Sequence, residues 1–194
     1  MNWYKKSQLQ ETLPYFKEFE EYGDYVPEEE SLNERLMDTY GVSIINDIGQ
    51  GDSGIAYLLS DGNVLKITTN SQEGQVADYI KNNPNPHIIG YKDVWKEKDL
   101  YYIIMEKIDE MVSDNVELTS FFEHLNDLMD RYKCYNPQCA YNLIAKETSI
   151  PEDKKNVLLE YLMYLSSVPL KIFDFLNPNN IGIKNGRLIF FDIT

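Results

Sequence analysis

The sequence is poor in positive charge, cysteine and histidine. Its 194 residues include 18 Lys and Arg against 32 Asp and Glu, with two Cys and two His. The net charge of −14 repels phosphate backbones and argues against nucleic acid as a partner. No stretch approaches the roughly 18 consecutive apolar residues of a membrane-spanning helix. Because the start, Met1–Lys6, also lacks the apolar core of a secretory signal, we expect a cytoplasmic protein with no membrane partner.

The two cysteines, Cys134 and Cys139, are too few for a disulfide framework. A structural zinc site would need a second pair of ligands at suitable spacing, and neither histidine lies close enough in sequence to supply one. We therefore expect both cysteines to be reduced thiols.

What the sequence does contain is enough apolar material for a core, because 43% of its residues are hydrophobic and 26% are charged. Residues 1–30 differ from the rest: Glu11 to Glu30 include eight acidic residues and one lysine among several Tyr and Phe. We expect residues 1–30 to be a peripheral segment that docks on the following domain. The alternative is that the acidic surface itself acts as a decoy for a basic partner.

Hydrophobic periodicity predicts an α+β fold. We expect a helix over 31–40, strands at 42–48, 55–59, 64–67, 88–95 and 100–107, and a helix at 71–82. Helices at 117–132, 140–147 and 152–167 and strands at 181–184 and 187–191 follow. The order predicts a five-stranded antiparallel sheet with one helix, over residues 31–108 after a leading helix, and a mainly helical part over 109–194.

A glycine-rich turn separates the first two predicted strands, with Gly49, Gly51 and Gly54 spaced as Gly-x-Gly-x-x-Gly. A dinucleotide-binding fingerprint would open a helix. A strand-turn-strand glycine loop instead covers nucleotide phosphates with its backbone amides. Three glycines also occur in ordinary hairpins, so the turn needs support from other residues.

That support comes from Lys66, which lies inside the apolar strand Val64-Leu65-Lys66-Ile67. Desolvating an ammonium costs several kcal/mol, so a lysine in such a strand needs a partner. Glu73, near the start of the next predicted helix, is the candidate counter-ion.

Together, the glycine turn, Lys66 and Glu73 resemble the N-terminal lobe of protein kinases. The resemblance continues through Asn85–Ile89 and through Tyr102–Ile108, which looks like the fifth strand running into the hinge. It implies a five-stranded antiparallel N-lobe with one helix and a short, mainly helical C-lobe. It also implies that Lys66 orients the phosphates of ATP, that Met105 is the gatekeeper, and that the Glu106 carbonyl and the Ile108 amide contact adenine.

The C-terminal part resembles the kinase catalytic loop over Phe173–Ile181 and the strand ending at the metal-binding aspartate over Leu188–Ile193. This implies a Mg²⁺ ion held by one carboxamide and by Asp192, and a second carboxylate that orients the attacking hydroxyl. Two alignments remain open. Asn180 is the ligand if the strand begins at Ile181, which we prefer, and Asn179 is the ligand if the five-residue spacing is counted from Asp174.

In the preferred alignment Phe175 occupies the position of the catalytic aspartate, and Asp174 is the only nearby carboxylate able to act as the base. The sequence ends two residues after Asp192, so we expect no counterpart within it of the activation segment and later helices of protein kinases. A minimal form of the family, a partner chain, or residues 1–30 would account for this. Aminoglycoside and related small-molecule kinases share the same motifs.

The resemblance implies an ATP- and Mg²⁺-binding protein that transfers the γ-phosphoryl group to a hydroxyl of a protein Ser or Thr or of a small molecule. The alternative is a catalytically impaired pseudokinase that regulates a protein partner. Phe175 favours the alternative, whereas the retention of Lys66, Glu73, Asn180 and Asp192 favours activity or nucleotide binding.

Overall fold

The computed structural model describes residues 29–51, 54–172 and 175–191. They form two units. The first contains the described residues up to Gly74 together with Tyr91–Lys107, and the second contains Gln75–Gly90 together with the described residues from Ile108 onwards. The elements are α1 (Glu29–Tyr40), β1 (Ile44–Gly51), β2 (Gly54–Leu59), β3 (Val64–Thr68), α2 (Ser71–Asn82), β4 (Tyr91–Glu97), β5 (Leu100–Met105), β6 (Glu110–Met111), α3 (Val116–Tyr132), α4 (Pro137–Lys146), α5 (Glu152–Ser167), β7 (Ile181–Lys184) and β8 (Arg187–Phe190). None of the helices in these ranges is long and apolar enough to cross a membrane.

The first unit is built on a five-stranded sheet with strand order β1-β2-β3-β5-β4. Every neighbouring pair is antiparallel, as the sequence predicted, and the chain is α+β. The strands follow from alternation: in β3, Leu65 and Ile67 are buried on one face, and Lys66 between them lies on the other.

Helix α1 covers the face of this sheet that carries Leu65 and Ile67. It begins at Glu29, two residues before Ser31, where the sequence predicted its start. Leu32 and Leu36, four residues apart, lie on one side of the helix and are buried. The apolar cluster beneath them consists of Val42, Ile55, Tyr57, Leu59, Leu65, Ile67, Leu100, Tyr102 and Ile104.

Polar and aromatic contacts also hold α1 against β4. Arg35 forms an ion pair with Glu97, and its guanidinium lies 5.2 Å from the centre of the Trp95 ring. At the end of the helix, the Tyr40 hydroxyl donates a hydrogen bond of 2.5 Å to the Asp93 carboxylate.

The second unit contains α3, α4 and α5 and a small sheet in the order β6-β7-β8. Helix α5 has its predicted bounds, but α4 begins at Pro137 and not at residue 140. Asn136 caps it by accepting a hydrogen bond from the Cys139 amide, and proline suits the first helical position. Strand β6 was not predicted, because its two residues are too few to show alternation.

The segment before β4 corrects a second prediction, since the strand expected at 88–95 begins only at Tyr91. Ile88 forms an isolated parallel bridge with Phe190 at the end of β8. The Phe190 amide donates to the His87 carbonyl at 2.9 Å, and the Ile89 amide donates to the Phe190 carbonyl at 3.0 Å. Residues 87–89 belong to the second unit, and the apolar character of Ile88 and Ile89 reflects packing within it.

The cysteines correct a third prediction. Cys134 and Cys139 form a disulfide, with Cα atoms 5.3 Å apart, and are not reduced thiols. The bond links the residue two positions beyond α3 to the first turn of α4. The sequence did not indicate this pairing because a spacing of five residues does not specify how close two cysteines lie.

Replacing both cysteines by serine should lower the free energy of unfolding by about 2 kcal/mol, because closing so short a loop removes only a modest chain entropy from the unfolded state. Urea unfolding of the wild type and of Cys134→Ser/Cys139→Ser measures the difference. Alkylation of the denatured wild type should modify no cysteine without reductant and both with it. Two modified cysteines without reductant would contradict the disulfide.

Stability should also depend on the hydroxyl of Tyr40 at high pH. Burial and then the hydrogen bond to Asp93 raise its pKa from 10.0 to about 12, against a smaller lowering by Arg35. The folded state therefore holds this proton more tightly, and the stability that it contributes is lost as the pH rises from 10 towards 12. Urea unfolding at pH 9 and pH 11.5 should show a smaller loss for Tyr40→Phe than for the wild type. Tyr132→Phe, at a side chain 61% exposed, is the control, and equal losses in all three proteins would contradict the prediction.

Candidate functional site

The candidate site lies on the face of the five-stranded sheet opposite α1. Residues that face each other on neighbouring antiparallel strands project from the same side of a sheet. Two rows of such residues cross the sheet here: Gly49, Ala56, Lys66 and Ile103 in one, and Gly51, Gly54, Thr68 and Tyr101 in the next. Thus the three predicted glycines and Lys66 share one face, and small residues flank the lysine on the β1–β2 side.

Lys66 and Glu73 form an ion pair on this face. The side chains are 18% and 10% exposed, respectively, so both charges are largely removed from water. The sequence predicted this contact from the position of a lysine inside an apolar strand. The role of the pair in nucleotide binding remains a prediction.

The turn between β3 and α2 positions Glu73. The Asn70 amide donates to the Thr68 hydroxyl at 3.1 Å, and the Asn70 side-chain oxygen accepts from the amides of Gln72 at 3.0 Å and Glu73 at 3.3 Å. Asn70 therefore caps the helix, and its bond to Thr68, which is fully buried, ties the cap to the end of β3. The sequence analysis did not identify Thr68. The signal that could have led to this turn is Asn70 followed three residues later by Glu73, a spacing that resembles a capping box.

The glycine turn is shorter than the predicted 49–54. Strand β1 continues to Gly51 and β2 begins at Gly54, and these two residues face each other. Only Asp52 and Ser53 connect them, and both lie outside the described residues. At Gly54 a Cβ atom would lie 2.4 Å from the Ile67 carbonyl oxygen, so the close approach of β3 requires glycine there.

The predicted adenine-binding residues lie at the end of β5 and just after it. Met105 is the last residue of β5 and pairs with Val64 on one side and Tyr91 on the other. It therefore shares the face of Lys66, and it is half-buried. Glu106 is half-buried beyond the strand, and Ile108 belongs to the second unit.

In the second unit, the predicted metal-binding residues lie at the start of β7. Asn180 is half-buried, and its carbonyl accepts a hydrogen bond of 3.0 Å from the amide of Phe191, the residue before Asp192. Asn179 is exposed, and its amide donates to the Asn177 side chain at 3.0 Å. Both bonds involve the backbone of these asparagines, so the choice between them as a metal ligand stays a prediction. Asp192 itself lies outside the described residues.

Phe175, at the position of the catalytic aspartate in the preferred alignment, belongs to the core of the second unit. It is 4% exposed, and its carbonyl accepts a hydrogen bond of 3.0 Å from the hydroxyl of the buried Tyr161. Its side chain is therefore a packing residue. The predicted base, Asp174, lies outside the described residues.

No protein-family model matches the chain, and no curated protein matches it. Within the described ranges, no group of three or more His, Cys, Asp and Glu side chains is arranged to hold a metal ion. This absence does not bear on the predicted ligands, because Asn180 is a carboxamide and Asp192 lies outside those ranges.

Removing the ammonium of Lys66 should destabilise the protein strongly. Lys66→Met leaves the buried carboxylate of Glu73 without this cation, and we expect a loss of about 3 kcal/mol in the free energy of unfolding. Lys66→Met/Glu73→Leu should regain most of it, since neither charge is then buried. Urea unfolding at pH 7 measures both variants.

The matched control is Lys92, which pairs with Asp61 at 3.5 Å on the same sheet but is 53% exposed. Lys92→Met should cost at most about 1 kcal/mol. If Lys66→Met costs no more than Lys92→Met, the Lys66–Glu73 pair is not desolvated as the structure indicates.

Proposed function

We propose that the chain binds ATP with Mg²⁺ in the manner of protein kinases and transfers the γ-phosphoryl group to a hydroxyl. The observation that carries the proposal is the largely desolvated Lys66–Glu73 pair beside Gly49, Gly51 and Gly54 on one face of the sheet. Replacing a desolvated ion pair by apolar side chains of similar volume often leaves a protein equally stable or makes it more stable. Stability alone therefore gives no reason for the Lys66–Glu73 pair, whereas a role in ligand binding does.

The chemistry of the pair suits a triphosphate. An ammonium has three N–H donors, so Lys66 can bond to Glu73 and to phosphate oxygens together. Glycines at the neighbouring positions leave space for phosphates and let backbone amides approach them. Half-buried Met105, on the same face at the end of β5, suits contact with an apolar ring such as adenine.

The kinase-like arrangement belongs to the same proposal. It is supported by the order of the elements, with a glycine turn between β1 and β2, the lysine in β3, the glutamate in α2 and then β4 and β5. In this proposal Asn180 and Asp192 would hold Mg²⁺, which would neutralise charge on the phosphates. Asp174 would accept the proton of the attacking hydroxyl as its oxygen bonds to the γ-phosphorus and ADP leaves.

Phe175 favours a second candidate function, in which the chain is a pseudokinase that binds nucleotide and regulates a protein partner. Because this side chain is packed in the core, the position of the usual base is occupied by a hydrocarbon ring. Catalysis then depends on Asp174, one residue earlier. Both candidate functions require the nucleotide site at Lys66.

Nucleotide binding is tested by thermal unfolding with ATP, with and without Mg²⁺. At about 100 times its Kd, ATP should add roughly 2.7 kcal/mol and raise the Tm by roughly 5–10 °C. The rise should require Mg²⁺ and be lost in Lys66→Met/Glu73→Leu, which is designed to stay folded. Lys92→Ala is the control and should keep it. An unchanged Tm at millimolar ATP, or an equal rise in the double variant, would contradict the proposal.

Phosphoryl transfer separates the enzyme from the pseudokinase. Mass spectrometry should detect phosphate on the protein or on a generic hydroxyl acceptor, and Asp192→Asn should abolish it. Asp174→Asn should slow transfer about 10²–10⁴-fold, the usual contribution of a general base. Equal transfer by Asp174→Asn would show that Asp174 is not the base. Nucleotide binding with no transfer would favour the pseudokinase.

A further inference from the structure

The first turn of α2 lies unusually close to β5 at Gly74, the residue after Glu73. A Cβ atom on Gly74 would lie 2.0 Å from Cδ1 and 2.1 Å from Cγ of the Tyr101 ring, so any side chain there would overlap the ring. Glycine is a poor helix former. The close approach to Tyr101 explains why a glycine stands in the first turn of α2. The backbone of α2 at Gly74 therefore lies directly against the Tyr101 ring.

Tyr101 is fixed relative to Lys66 by the sheet. It pairs with Thr68 across the β3–β5 ladder, while Lys66, two residues earlier, pairs with Ile103. Tyr101 and Lys66 thus project from the same face in adjacent rows. The Tyr101 ring and the Lys66 ammonium therefore project from two strands, β5 and β3, that are hydrogen-bonded to each other.

The other end of this turn is also fixed. The Gly74 amide donates to the Asn70 carbonyl at 3.2 Å, and Asn70 is bonded to Thr68 at the end of β3. With its start tied to β3 and Tyr101 next to Gly74, the turn leaves no room for a side chain at residue 74. Glu73 lies between Asn70 and Gly74 in this turn.

We propose that Gly74 is a positioning residue for the phosphate-binding lysine: because it has no side chain, the first turn of α2 fits against Tyr101, and this fit lets Glu73 meet Lys66. The inference deepens the proposed function and rests on it for the role of the pair. A side chain at residue 74 would displace the first turn of α2 from the ring and withdraw Glu73 from Lys66.

The test measures how fast Lys66 reacts with an amine-acylating reagent, site by site, by mass spectrometry and without nucleotide. A nearby carboxylate favours the charged ammonium, which does not react. Gly74→Ala should displace the helix and raise the Lys66 rate at least 5-fold. Gly74→Ala/Tyr101→Ala, which removes the ring that the new methyl group meets, should return the rate to within 2-fold of the wild type. Tyr101→Ala alone and the rate at Lys92 are the controls, and both should stay within 2-fold of the wild type.

A merely structural role predicts a different pattern, in which the rates of all lysines change with global stability and the second substitution does not restore Lys66. That pattern, or a Lys66 rate unaffected by Gly74→Ala, overturns the inference. Should Gly74→Ala alone not fold, Gly74→Ala/Tyr101→Leu replaces it, because leucine retains part of the obstruction. Its Lys66 rate should then lie above that of Gly74→Ala/Tyr101→Ala, and equal rates overturn the inference.

Nucleotide affinity distinguishes this inference from the proposed function. If the wild type binds Mg·ATP, Gly74→Ala should raise the Kd about 10-fold and Gly74→Ala/Tyr101→Ala should restore it. If the wild type does not bind Mg·ATP, the proposed function fails, and the acylation rates still decide whether Gly74 positions the ion pair.

Discussion

The desolvation of the Lys66 ammonium is the constraint on which the candidate site depends. A charge removed from water costs several kcal/mol, and only a well-placed opposite charge offsets that cost. Glu73 supplies this charge from the first turn of α2. The end of β3, the helix cap at Asn70 and the contact of Gly74 with β5 must therefore together place the Glu73 carboxylate next to the ammonium. The local structure around the pair follows from this requirement.

The two faces of the first sheet differ in composition. The face beneath α1 is covered by an apolar cluster, in which Leu59 and Leu65 are fully buried. The opposite face combines glycines, an alanine and the lysine with the buried Thr68 and Ile103. In the proposed function, the packing under α1 stabilises the fold, and the glycines and Lys66 on the opposite face bind the ligand.

The strand that carries Lys66 and its pairing with Glu73 were predictable because both depend on local sequence patterns. Alternation around Lys66 identified β3, and the need of a buried ammonium for a partner identified Glu73. The start of α4 also has a local signal, because Asn136 caps the helix and Pro137 takes its first position, but the sequence prediction placed it at residue 140. Strand β6 and the disulfide between Cys134 and Cys139 depend on contacts whose geometry a sequence pattern does not contain. The same holds for the meeting of Gly74 with Tyr101, which lie 27 positions apart. The predicted roles of Asp174 and Asp192 depend on chemistry and not on packing, and they stay predictions.

The central claim is that Lys66 binds the phosphates of a nucleotide, and a crystal structure of the chain grown with Mg²⁺ and a non-hydrolysable ATP analogue tests it most directly. The account predicts a phosphate oxygen about 3 Å from Nζ of Lys66, with Glu73 still paired to the ammonium. An analogue bound elsewhere, or an empty Lys66 face at an analogue concentration that saturates the protein in solution, would contradict it.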